Sequence, residues 1–181
     1  MHEVPLAQQI EGPRLDLYDV GFAQSEGVGN GILAEPTWHD PLVVAVPAKH
    51  PLASVPRLPL DEVLHYPLVM CDPQVREGQA RQVADFLRTA GREPLVVEQV
   101  ATVDVMMALI AAGFALGFLT ESQCIACREH GIEAKPLAAP PMLTTYLLRL
   151  NTEPTPAVSR FIDRVAELRE MSLVPGSRRP K

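Results

Sequence analysis

Short uninterrupted apolar runs, bounded by proline, glycine or charged residues, are the main feature of this sequence. The run at 42–46, Leu-Val-Val-Ala-Val, ends at Pro47, and Pro51 follows, so the chain must leave it in an extended form. An apolar run without polar alternation is typical of a strand buried on both faces, as in a parallel sheet. Further strands are predicted at 3–6, 20–23, 66–71, 94–100, 115–119 and 144–150.

Helical spacing of apolar residues appears between these strands. Gly91 and Gly113 stand where left-handed caps would end two helices, and Thr102 or Asp104 is placed to cap the start of the second. Strands that alternate with such helices predict an α/β fold with mostly parallel sheets. The predicted helical segments are a stretch from about residue 7, a turn at 59–64, helices over 75–90 and 105–112, one from Thr120 or Glu121 to near Gly131, and a last one opened by Thr155 and Pro156.

Composition narrows the class of protein. The 181 residues, 47% hydrophobic and 21% charged, suit one globular domain or two small lobes. The net charge of −6, with the one basic cluster at 178–181, predicts no direct binding of nucleic acid by this chain. No run approaches the roughly 20 apolar residues of a membrane span, and no secretory signal is recognised. Three cysteines, an odd number, fit a reducing cytosol and predict a cytoplasmic location.

Four segments, taken in their order and spacing, resemble the effector-binding domain of LysR-type transcriptional regulators. In the third of them, Ala115 stands where that family usually has a second glycine. The segments are Tyr18-Asp-Val-Gly-Phe-Ala23, the stretch 39–53 (His-Asp-Pro-Leu-Val-Val-Ala-Val-Pro-Ala-Lys-His-Pro-Leu-Ala), the stretch 100–119, and Thr145-Tyr-Leu-Leu-Arg149.

The resemblance implies two Rossmann-like subdomains joined by a two-strand hinge, similar to a type II periplasmic binding protein. Residues 1–46 and 144–173 would form an incomplete subdomain I, residues 47–143 subdomain II, and residues 174–181 a flexible tail. Compared with the family, the sequence lacks the winged helix-turn-helix and the first strand and helix of subdomain I. We therefore expect an N-terminally truncated effector domain with no DNA-binding domain.

A ligand held between two such lobes should meet the residues that follow the carboxyl ends of the strands. Helix N-termini in these places favour anions, and the resemblance implies small carboxylates or aromatic acids as effectors. For Thr102 simple capping is an equal alternative, and for Arg76 plain surface exposure is the favoured one. The predicted ligand-binding residues are Gln24, Ser25, Cys71, Asp72, Arg76, Thr102, Val103 and Thr120.

The segment Cys124-Ile-Ala-Cys127 with His130 admits a redox or metal hypothesis, because positions i, i+3 and i+6 share one side of a helix. A redox Cys-x-x-Cys normally opens a helix, whereas these cysteines lie deeper, which favours buried apolar thiols. The glycine-rich loop at 27–31 lacks phosphate-binding spacing. No catalytic constellation is recognised, so we predict no enzyme activity, no cofactor and no metal.

The first functional hypothesis is a small-molecule sensor that acts as a homodimer or as a heterodimer with a full-length regulator. The resemblance places the helix at 105–112 near the partner subunit. Three alternatives remain open at this point: a stand-alone fragment that modulates a full-length regulator, a thiol-dependent enzyme that uses Cys124 and Cys127, and a fragment that folds only as a dimer and binds nothing.

Overall fold

The structure of the protein is a computed structural model that describes residues 6–15, 17–125 and 127–173, with side chains as far as residue 168. The predicted strand at 3–6 and the predicted tail at 174–181 lie wholly or almost wholly outside the described residues, and Leu6 belongs to a helix. The described chain divides into two compact units. Unit 1 contains the residues up to Trp38 and those from Thr144 onward, and unit 2 contains residues 39–143.

The chain forms five α-helices and seven β-strands in the part that the structure describes. The helices are α1 (Leu6–Arg14), α2 (Leu60–Val63), α3 (Glu77–Leu87), α4 (Val103–Ala111) and α5 (Pro156–Leu173). The strands are β1 (Val20–Ala23), β2 (Ile32–Pro47), β3 (Leu68–Cys71), β4 (Val96–Val100), β5 (Leu116–Thr120), β6 (Ile132–Pro136) and β7 (Met142–Leu150).

Strand β2 runs on from unit 1 into unit 2, and the boundary lies between Trp38 and His39. Our predicted subdomain boundary lies in the same strand, at 46/47. Strand β7 also belongs to both units, with its boundary between Leu143 and Thr144.

Unit 2 is built on a mixed sheet in the order β6–β2–β5–β3–β4. Strand β3 pairs in parallel with β4 and β5, whereas β2 pairs antiparallel with both β5 and β6. The prediction that 42–46 is buried on both faces is confirmed, because each of its five residues is at most 6% exposed. The expectation of parallel pairing for this strand is wrong, because β2 is antiparallel to both β5 and β6. A strand is buried on both faces whenever other elements cover both faces of its sheet, whatever the direction of its neighbours.

Two apolar clusters cover the two faces of this sheet. Alternate side chains of β2 point to opposite sides, so Val44 packs in the first cluster and Val43 in the second. The first cluster includes Val83 and Leu87 of α3, and the second includes Met106 of α4. Unit 2 therefore has three layers, with α2 and α3 on one face and α4 on the other.

Unit 1 has the strand order β1–β7–β2, with β1 and β7 antiparallel. Its apolar cluster combines Ala23 and Leu148 from these strands with Ile10 of α1. Helix α5 adds Phe161, whose ring centroid lies 6.2 Å from that of Phe22. As predicted, α5 begins at Pro156, and the Thr155 hydroxyl accepts a hydrogen bond from the amide of Val158 at 3.3 Å.

Two sequence predictions in unit 2 are corrected. Residues 121–125 form turns and residues 127–130 a 3-10 turn, so the described residues contain no α-helix between Thr120 and Gly131. Local side-chain hydrogen bonds at this point compete with helix formation. The segment that follows forms strand β6, which was not predicted. Gly91 does not take the predicted left-handed conformation, whereas Gly113 does, with φ of 77°.

A polar site at the carboxyl edge of the unit 2 sheet

The parallel strands of unit 2 end side by side at one edge of the sheet. Cys71 is paired with Val100 in the register of β3 and β4, and β5, the other neighbour of β3, ends at Thr120. Six of the eight predicted ligand-binding residues follow or end these strands and lie at this edge. They are Cys71, Asp72, Arg76, Thr102, Val103 and Thr120.

Two helices begin at this edge, each with a different N-terminal structure. Thr102 is the N-cap of α4, and its hydroxyl accepts a hydrogen bond from the amide of Val105 at 3.3 Å. The Asp72 carboxylate accepts a hydrogen bond from the amide of Gln74 at 2.8 Å, which stabilises the turn before α3. Arg76 is the N-cap of α3 but makes no side-chain cap, so its side chain is turned elsewhere.

The guanidinium of Arg76 joins a partly buried network of side-chain amides. Its Nη1 donates a hydrogen bond to Oε1 of Gln79 at 3.3 Å, and Nε2 of Gln79 donates to Oε1 of Gln123 at 3.2 Å. The same Gln123 oxygen accepts a hydrogen bond from the amide of Thr120 at 2.9 Å. Gln79 and Thr120 are each only 2% exposed. This network ties α3 to the end of β5, two elements that are distant in sequence.

The network continues on the other side of Thr120. Its hydroxyl lies 3.1 Å from that of Ser122, and Ser122 donates hydrogen bonds from its amide (3.3 Å) and its hydroxyl to the carboxylate of Asp40. The edge therefore carries a continuous chain of hydrogen-bonded polar groups, with the cation Arg76 at one end and the anion Asp40 at the other.

Four members of this network were not predicted from the sequence: Asp40, Gln79, Ser122 and Gln123. A signal for Gln79 was present, because position 79 lies on the same helix face as Val83 and Leu87, at spacings of four and eight. A glutamine within an apolar helix stripe must find hydrogen-bond partners inside the protein. No comparable local signal exists for Gln123, whose partner is 44 residues away.

The other two predicted residues, Gln24 and Ser25, lie in unit 1, just after β1. Ser25 is 8% exposed, and the following residue, Glu26, accepts a hydrogen bond from the hydroxyl of Tyr146 at 3.3 Å. Burial and the Glu26 carboxylate together raise the pKa of Tyr146. A cavity of about 280 Å³ in unit 1 lies at the opposite end of β1, beside Asp19.

The three thiols have the properties of core groups rather than reactive ones. Cys71, Cys124 and Cys127 are free and at most 9% exposed. Burial is the largest effect on each of them and raises the pKa of all three thiols, most strongly that of Cys124. A nucleophilic or metal-binding cysteine needs the thiolate, which these surroundings disfavour. Within the described ranges, no three His, Cys, Asp or Glu side chains are grouped to hold a metal ion.

We expect the folded protein to react slowly with a thiol reagent such as Ellman's reagent. The physical reason is burial, which both blocks access and keeps the thiols protonated. The measurement compares the reaction rate of native protein with that of protein in guanidinium, where three thiols should react at once. Rapid reaction of two thiols in the native protein would support the thiol-dependent alternative instead.

The family assignment follows from comparison with known proteins. The model of the LysR substrate binding domain matches residues 1–169 of this sequence. The chain belongs to this family of substrate-binding domains, which confirms the resemblance seen in the sequence.

The uncharacterized HTH-type transcriptional regulator YnfL of Escherichia coli (strain K12) is 26% identical over 117 residues, which are 65% of this chain and 38% of that protein. The chain therefore spans well under half the length of this curated relative. Two solved structures share the fold at low identity. The effector binding domain of QuiR in complex with shikimate is 16% identical, with a TM-score of 0.82 over 94% of this chain and 81% of that one.

The BenM effector binding domain with its effector benzoate is 18% identical, with a TM-score of 0.83 over 99% of this chain and 83% of that one. These likenesses establish the α/β fold of LysR effector-binding domains for this chain. Of the helices that the structure describes, none combines the length and the apolar character needed to cross a membrane.

Proposed function

We propose that this chain is the small-molecule sensing part of a LysR-type transcriptional regulator, and that it binds a small carboxylate or aromatic acid. The observation that carries the proposal is the partly buried hydrogen-bond network of Arg76, Gln79, Gln123 and Thr120 at the carboxyl edge of the unit 2 sheet. The network holds the Arg76 guanidinium and the end of β5 at the carboxyl ends of the parallel strands, which is where ligands bind in α/β sheets.

The chemistry of this edge favours an anionic ligand. The N-termini of α3 and α4 face the same edge, where the helix dipole gives the first backbone amides a partial positive charge. Arg76 adds a guanidinium that can form a charge-assisted pair with a carboxylate. The carboxylates of Asp40 and Asp72 accept hydrogen bonds from neighbouring turns, so each has local partners that offset its charge. The structurally similar effector binding domains of QuiR and BenM hold shikimate and benzoate, which are both carboxylates.

The two units and a second subunit have proposed roles in sensing. Gln24 and Ser25 are proposed to contribute contacts from unit 1, and units 1 and 2 to act as the two subdomains of a hinged sensor. Ligand contact with both would stabilise one hinge angle through differential affinity. A second subunit is proposed to pack against α4, where Val105 is 50% exposed.

The decisive experiment compares two arginines associated with α3. Arg76→Gln removes the guanidinium at the edge, and Arg81→Gln removes one that is paired on the surface with Glu77 at 3.5 Å. We screen the protein by thermal shift with a panel of aromatic and aliphatic carboxylates, benzoate and shikimate included, and measure the best ligand by calorimetry. We expect Arg76→Gln to weaken its binding about tenfold, the loss of one charge-assisted hydrogen bond, and Arg81→Gln to leave it unchanged.

Two results would contradict the proposal. One is a panel in which no carboxylate stabilises the protein. The other is a ligand whose affinity falls equally in both variants, because that result would indicate general electrostatic attraction rather than a site at this edge.

A further inference from the structure

A groove of about 540 Å³ lies on the face of unit 2 formed by α3, β3 and β4. Its volume is within the roughly 300–1,000 Å³ of pockets that hold small organic ligands. The groove is separate from the polar network, since Arg76, Gln79, Thr120 and Gln123 do not line it.

The walls of the groove are mainly apolar, and small side chains on α3 leave the space between them open. Ala80 and Ala84 lie one helical turn apart on α3 and so share the face that lines the groove. Met70 of β3 and Val96 of β4 line it as well, and Leu87 of α3 closes it towards the core, where it is 4% exposed. Larger side chains at the two alanines would fill this space.

The rim of the groove carries more positive than negative charge, in a chain whose net charge is −6. Arg88, Arg92 and Glu93 lie at one end of it. Arg88 is paired with Asp85, a neighbour on α3 that does not line the groove. Arg92 has no ion-pair partner among the residues whose side chains the structure describes. An anionic group at this end would meet a guanidinium, while its apolar body would lie along the alanine face.

We propose that this groove is a second ligand site, which takes an amphipathic monocarboxylate with an unbranched or aryl apolar body. The site differs from the effector site proposed above in its cation and in its apolar wall, and Cys71 at the end of β3 is the one predicted effector residue that borders both. Its ligand is recognised by apolar contact with α3 and β4 and by charge at Arg92.

The test uses octanoate as the probe and two-dimensional NMR of the full chain as the readout. We expect saturable shifts of the amides of Ala84, Gly91 and Val96. Octanol, which has the same chain without the charge, should bind about fivefold more weakly, and octylammonium more weakly still. Ala84→Trp should abolish binding, because the indole fills the groove from an exposed position that tolerates it.

A matched pair of charge reversals completes the test. Arg92→Glu should weaken octanoate binding at least fivefold, whereas Arg81→Glu, on α3 but outside the groove, should leave it unchanged. The proposal is overturned by shifts that do not saturate, by shifts centred on Thr102 and Thr120 instead, or by equal binding in the Ala84→Trp variant. Equal weakening by both charge reversals would overturn it too.

Discussion

Replacing Phe118 with alanine is expected to lower the free energy of unfolding by about 3–5 kcal/mol. Phe118 is 2% exposed in the centre of β5, and its side chain belongs to the cluster between the sheet and helices α2 and α3. Truncation removes its apolar contacts and leaves a cavity that the layers on either side cannot fully close. Since whole domains are stable by roughly 5–15 kcal/mol, this one change should remove a large part of the total.

The measurement is urea unfolding, followed by circular dichroism, with Phe114→Ala as the matched control. Phe114 lies two residues before β5 and is 51% exposed, so its truncation should change the free energy of unfolding by less than about 0.5 kcal/mol. If Phe118→Ala proves too unstable to purify, Phe118→Leu should give an intermediate loss. Equal losses at positions 114 and 118 would contradict the described layering of unit 2.

Replacing Gln79 with leucine is expected to cost about 1–3 kcal/mol of stability, although leucine is apolar and position 79 is buried. The cost arises because the amide of Gln123 and the guanidinium of Arg76 lose their shared partner. Gln74→Leu is the control, since Gln74 is exposed in the turn before α3, and its substitution should be close to neutral.

A double-mutant cycle separates the Gln79–Gln123 interaction from the other effects of each substitution. We expect the Gln79→Leu/Gln123→Leu variant to lose less stability than the two single variants together, with a coupling of about 0.5–3 kcal/mol. Strict additivity would show that the two amides do not interact. The same variants should respond more weakly to the carboxylate panel, because the network holds Arg76 and Thr120 at the proposed effector site.

The sequence predicted most of the local structure of this protein. The caps at Thr102 and Gly113 and the start of α5 at Pro156 were found at their places, because each depends on backbone requirements of a few adjacent residues. The six predicted residues of the unit 2 edge were also brought together. They were found by a rule about strand ends, which needs only the order of strands and helices.

The sequence by itself thus determined most of the strands and helices, that 42–46 is buried on both faces, and that the chain belongs with LysR effector-binding domains. Only the tertiary structure decided that β2 pairs antiparallel, that 132–136 is a strand after turns rather than the continuation of a helix, and that Gln79 meets Gln123. The physical reason is the separation along the sequence of the residues that decide each feature. Caps and periodicity depend on neighbours in sequence, whereas strand direction and a hydrogen bond across 44 residues depend on how distant segments pack.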